Sequence, residues 1–191
     1  MTTTALAPAS PVDTAEVADL RATAHGAGTA ACIALLTFAA ELALEIIPAG
    51  PEREEGCRAL GLAARLAAGE PVDPVTIVDA LHDENDEGVS IRLQLAPEGS
   101  QAGAWGTVVG ALGYAAYHGS LHRGEKPYPL VENYALKEAL GLTVDLFASV
   151  PGLDWAEVGR ACAYVRKKGS KAASGWGEPL RVEDLRRAAM G

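Results

Sequence analysis

The sequence predicts an all-α fold, a single-domain helical bundle of about five to seven helices. Apolar residues recur at three- and four-residue spacing along nearly the whole chain. Ala is abundant and favours helix, while Phe occurs only twice and β-branched runs are short. One stretch alternates, Val89–Leu95, but no second convincing strand exists to pair with it, so an extended or helical connector is expected there. The 191 residues, 49% apolar and 21% charged, suffice for one core.

The elements follow in order. Met1–Pro11 is rich in Thr, Ala and Pro, so residues 1–12 are expected to be a flexible leader ahead of a helical domain over 13–168. Asp13 or Thr14 can cap a first helix running to about Ala24, and Gly26 and Gly28 break it. The next helix, Thr29–Ile47, is the most apolar, with a core face of Cys32, Leu35, Leu36, Ala39, Leu42, Ala43 and Ile46. Pro51 opens a third, with Glu52, Glu54 and Glu55 placed to complement the helix dipole. It continues through Cys57, Leu60, Ala64 and Leu66 to Gly69. A short helix from Asp73–Pro74 carries Val75, Ile77, Val78 and Leu81, and the acidic segment Asp83–Gly88 follows.

A Gly-rich helix is expected over Gln101–Leu121. Gly103, Gly106, Gly110 and Gly113 share one of its faces, and because Gly weakens a helix, four on one face imply a neighbour packed very close. Trp105, Val109, Leu112 and Ala116 form another, apolar face. Gly99–Leu121 lacks formal charge and is long enough to span a membrane, but its Gly and polar content and bare flanks favour a buried central helix. Further helices are expected over Val131–Val150 and, capped by Asp154, over Trp155–Lys167. Residues 169–191 read as a basic Gly/Ser/Lys-rich tail with a weak helix at Val182–Met190.

The net charge of −9 hides a partition. Residues 1–159 carry 22 acidic and eight basic side chains, while the remainder carries three and eight. An acidic body argues against a nucleic-acid binder, which needs a basic surface. Three separated Cys, no CxxC and no basic signal-peptide start point to a reducing cytoplasm.

Little in the sequence carries catalysis. GxSxG, P-loop and GxGxxG motifs are absent. Glu54 and Glu55 disfavour a thiolate at Cys57, and Cys32 and Cys162 fall on apolar faces as inert core. Glu41 and Glu45, one turn apart, read as an exposed stripe. His118 and His122 have the i, i+4 spacing of a metal pair, but Gly119 stands where a zinc protease has Glu, and a third ligand must come from elsewhere. Asp83, Asn85, Glu87 and Gly88 match the start of a calcium loop, which fails at Gln94, where a bidentate Glu belongs. The same four carboxylates, Asp83, Glu84, Asp86 and Glu87, also make a concentrated negative patch for a cationic partner. Trp105 and Tyr114 read as core, while Tyr117, Tyr128 and Tyr134 form a group placed to reach solvent.

The order of segments EREEGCRALGLAARLAAGE, LHDENDEGV, AWGTVVGALGYAAY and PYPLVENYALKEAL resembles the helical immunity-protein family numbered six among those of bacterial polymorphic toxin systems. The resemblance covers about residues 28–168. It implies a cytoplasmic protein that binds and neutralises a cognate toxin, often a nuclease, with no catalytic residues. No cofactor, metal, nucleic acid or membrane is then expected, and the oligomeric state stays open. A basic nuclease is the toxin that suits the acidic body. Asp83, Glu84, Asp86 and Glu87 are expected to form its binding centre, with Tyr117 or Tyr128 as anchors. The alternatives are a small helical enzyme or metal-binding protein centred on His118 and His122, and an adaptor module.

Overall fold

The computed structural model describes residues 14–81, 102–124, 136–168 and 175–191. The described residues are all helical, without a strand, in eight helices: α1 Ala15–Gly26, α2 Thr29–Glu45, α3 Pro51–Ala67, α4 Pro74–Leu81, α5 Ala102–Arg123, α6 Leu136–Ala148, α7 Trp155–Lys168 and α8 Val182–Met190. Eight exceeds the expected five to seven because the weak helix of the basic tail is a full member of the packing. The expected leader and Val89–Leu95 lie outside the described residues.

Local chemistry sets the helix starts. The Thr14 hydroxyl accepts from the Val17 N–H at 3.3 Å. Pro51 opens α3, where a missing N–H costs nothing. Asp73 accepts from the Val75 N–H at 2.9 Å, and Asp154 from the Glu157 N–H at 3.1 Å, each satisfying an orphan donor.

Helix α2 is the central element. Every residue from Cys32 to Ala40 is buried, and the helix packs against α1, α3, α5, α6, α7 and α8. A helix apolar all round belongs in such a position. Ile46, expected on its core face, is instead 40% exposed, because it lies beyond the last α2 residue, at the cap before the turn into α3.

Helix α5 packs against α2, α3, α4 and α6. Trp105, Leu112 and Ala116 of the expected apolar face are buried, Val109 of that face is only half-buried, and Tyr114 is buried as core. The glycine face behaves unevenly. A Cβ on Gly110 would lie 2.8 Å from Leu146 Cδ1, and one on Gly103 would lie 3.2 Å from the Ser149 carbonyl oxygen. Among the described residues nothing stands within 4 Å of a Cβ at Gly113. Gly103 and Gly110, two turns apart, are therefore the points where α6 and its C-terminal end come close. The Thr143 hydroxyl donates to the Gly110 carbonyl across that contact at 3.2 Å.

Residues 175–191 form an arm that completes the core. Gly28 has no side chain with which to cap α2, and the arm supplies acceptors instead. Thr29 N–H donates to the Gly175 carbonyl at 3.4 Å and Ala30 N–H to the Trp176 carbonyl at 2.8 Å. Gly177 sits at φ +79°, and a Cβ on Gly28 would lie 3.1 Å from its Cα, so both positions need glycine for the chains to pass. Leu180, Val182, Leu185 and Ala189 are all buried.

Candidate functional site

Of the residues expected to contact a toxin, Asp83, Glu84, Asp86, Glu87 and Tyr128 lie outside the described residues. Tyr117 is half-buried on α5, its ring edge-on to His118 at 5.7 Å.

The two histidines of α5 occupy different surroundings. His118 is 6% exposed, its ring tilted against Tyr114 at 4.3 Å, and its Nε2 has no hydrogen-bond partner among the described residues. Burial alone pushes its pKa down to about 4, so the imidazole is neutral near pH 7. His122 is exposed and lies against Trp176 at 4.7 Å. Among the described residues no three His, Cys, Asp or Glu gather as a metal would require.

Cys32 and Cys162 are buried, and burial raises the Cys32 thiol to about 12 and that of Cys162 to about 11. Both are far from thiolate reactivity at neutral pH. Cys57 is exposed. It lines a groove of about 730 Å³ between α2, α3 and α8, with Gly61 and Ala64 along its length. Glu41, Glu45, Glu70 and Glu183 face Arg53, Arg65, Arg181 and Arg186 around it.

Within this groove Glu41 is not the exposed residue that its helix position implies. Its side chain is 20% exposed and accepts two bonds from Arg186 of α8, at 2.6 and 3.0 Å. Burial raises its pKa, and Arg186 opposes the rise without cancelling it. Nothing near Glu41 in sequence signals this, because the covering helix lies some 145 residues away.

A second cavity, of about 420 Å³, lies where the α3–α4 loop, the end of α5 and the arm meet. Trp176 forms part of its wall, though the Gly/Ser/Lys-rich sequence around that residue marks only a tail. Among the described residues no helix is long and apolar enough to cross a membrane.

Comparison with protein-family models, curated proteins and solved structures gave no match.

Proposed function

We propose that this protein is a non-covalent inhibitor of a cationic protein, an immunity protein that neutralises a cognate basic nuclease toxin in the cytoplasm. The charge partition carries this reading. The body is strongly acidic, and several cations of the basic end, though exposed, are bonded within the chain. Arg166 bonds Asp19 at 2.6 Å, Arg186 pairs with Glu41, Arg187 pairs with Asp184, and Arg160 donates to the Ala189 carbonyl. Part of the counter-charge from residue 160 onward is therefore engaged within the chain, and the acidic excess of the body suits a cationic partner. Nucleases grip phosphate through cationic clefts, and an acidic protein approaches such a cleft fast by electrostatic steering.

Asp83, Glu84, Asp86 and Glu87 form the densest acidic cluster in the sequence and are the proposed centre of that surface, with Tyr117 and Tyr128 as anchors. The test is binding and inhibition assayed against the C-terminal domain encoded by the neighbouring gene, at two salt concentrations. Salt-dependent association is expected, slowed in the Asp83→Lys/Asp86→Lys variant. Absence of binding at low salt overturns the reading. Stoichiometric metal in the purified protein, found by elemental analysis, would favour a metal function at His118 and His122 instead.

A further inference from the structure

The arm, residues 175–191, contributes a wall to both cavities. Trp176 lines the 420 Å³ cavity, and Arg181, Glu183 and Arg186 line the 730 Å³ groove. The arm is anchored at widely spaced points. The Ala30 N–H donates to the Trp176 carbonyl at 2.8 Å, the Leu180 N–H donates to the Ala67 carbonyl at 3.0 Å, and Arg186 pairs with Glu41 at 2.6 Å. Ala30 and Glu41 stand about three turns apart on α2. Leu180, Val182, Leu185 and Ala189 are buried along the way. Among the described elements α8 packs on α2 and α7. The body has its own contacts, α2 with α3 and α5, α5 with α4 and α6, and α1 with α6 and α7, which are made without the arm.

We propose that the arm is a strap that opens as one unit while the body stays folded, so that the two cavities lose and regain their shared wall together. Three features converge on this device. Helix α8 has nine residues, and a helix so short is marginal in water without the surface it packs on, so its helical state and its docking form together. Where the arm crosses the start of α2, Gly28 meets Gly177, and a Cβ on Gly28 would lie 3.1 Å from the Gly177 Cα. Neither residue has a side chain to lock the crossing, and Gly175 and Gly177, at φ +102° and +79°, gain much conformational freedom on release. Undocking also spares the contacts of the body, and water can take over the first-turn N–H groups of α2. A contiguous unit of this kind opens at a lower free energy than the whole protein. This device does not depend on the toxin reading.

The test is native-state hydrogen exchange of the full chain, read amide by amide where reclosing outpaces exchange. Ala30 lies in the first turn of α2, where an N–H has no acceptor within the helix, so its protection reports the arm. Leu180 reports the middle of the arm, and Leu36 and Leu112, fully buried on α2 and α5, report the body. Ala30 and Leu180 should share one opening constant, about tenfold or more above those of Leu36 and Leu112. Leu185→Ala should speed Ala30 and Leu180 by a common factor of about thirtyfold or more, although Leu185 lies well beyond Trp176 in the chain. Arg186→Met, a milder change, should speed both by about threefold. Phe147→Leu, in the core face of α6, should speed Leu36 and Leu112 by about fivefold or more and leave Ala30 and Leu180 as they were, because the arm opens with the body intact. Acceleration of Leu180 without Ala30 in the arm variants would mean that the arm opens in pieces. Acceleration of Ala30 and Leu180 in Phe147→Leu would mean that the arm opens only with the whole protein. Either result overturns the proposal.

Discussion

Helix α5 carries no formally charged residue from Ala102 to Leu121, whereas the nine residues of α8 include Glu183, Asp184, Arg186 and Arg187. Both are nevertheless packed against α2. Helix α5 is buried on several sides because it is apolar on several sides, and glycine lets α6 approach its backbone. Helix α8 is buried along one stripe, Val182, Leu185 and Ala189, while its charges stay at the rim and reach Glu41 on α2. The contrast separates two routes into a core. Composition announces the first, and only spacing announces the second.

The largest effect should come from breaking the stripe. Leu185 is fully buried, so Leu185→Ala should cost about 2–5 kcal/mol through lost transfer energy and a residual cavity. Chemical denaturation measures it. A loss below about 1 kcal/mol would mean that α8 is held by its charges and that the contrast with α5 is false.

The next effect belongs to α5, which buries an ionisable group whose Nε2 meets no partner among the described residues. The folded-state pKa of His118 is about 4, against the usual 6.5. Between those values the unfolded chain binds the extra proton. The contribution of His118 is therefore fully present above pH 6.5 and is lost as pH falls toward 4, by about 3 kcal/mol in all. Glu41 works the other way. Its raised pKa gives a contribution fully present below its unfolded value of 4.5 and lost as pH rises through the folded one. Stability measured from pH 7.5 to 4.5 should fall less steeply in His118→Leu than in the parent chain. Equal slopes would place the acid sensitivity elsewhere.

The sequence foretells these two routes unequally. Thr14, Pro51 and Asp154 mark helix starts through bonds made within a few residues, so those boundaries are local information. The face of α5 bearing Trp105 and Leu112 follows from periodicity alone. Burial that depends on a distant segment leaves no local trace. Glu41 looks exposed until α8 lies over it, and Trp176 looks like part of a tail until it meets His122 and caps α2. The side of α5 that takes the His118 ring is likewise fixed by neighbours rather than by the His118/His122 spacing. The cavity beside Trp176 was therefore hidden, since its walls come from three segments far apart in the chain.

The glycine seam offers a smaller and sharper test. At Gly110 an added side chain meets Leu146 and Thr143, so Gly110→Leu should cost about 1–3 kcal/mol by overpacking. Gly113 shares the face but meets none of the described residues within 4 Å. Gly113→Ala should stabilise α5 by about 0.5–1 kcal/mol through backbone entropy. Matched thermal melts of the two variants decide whether close approach is confined to the Gly103–Gly110 stretch. Equal destabilisation would extend the contact along the whole face.

The smallest effect concerns the charges of α8. The Arg186 side chain is 46% exposed and that of Glu41 20%, so solvent screens the pair on one side and the two hydrogen bonds give it definition on the other. A double-mutant cycle over Arg186→Met and Glu41→Gln should return a coupling of about 1 kcal/mol or less, shrinking as salt is raised. The single variants should differ. Arg186→Met leaves the covered Glu41 carboxylate without its cation, whereas Glu41→Gln removes a charge that burial already disfavours. Arg186→Met should therefore be the costlier of the two. Both should cost less than Leu185→Ala, because the apolar stripe holds α8 in place and the ion pair fixes how it sits across α2. A coupling well above about 2 kcal/mol would reverse that ranking and make Glu41–Arg186 the principal bond between the arm and the body.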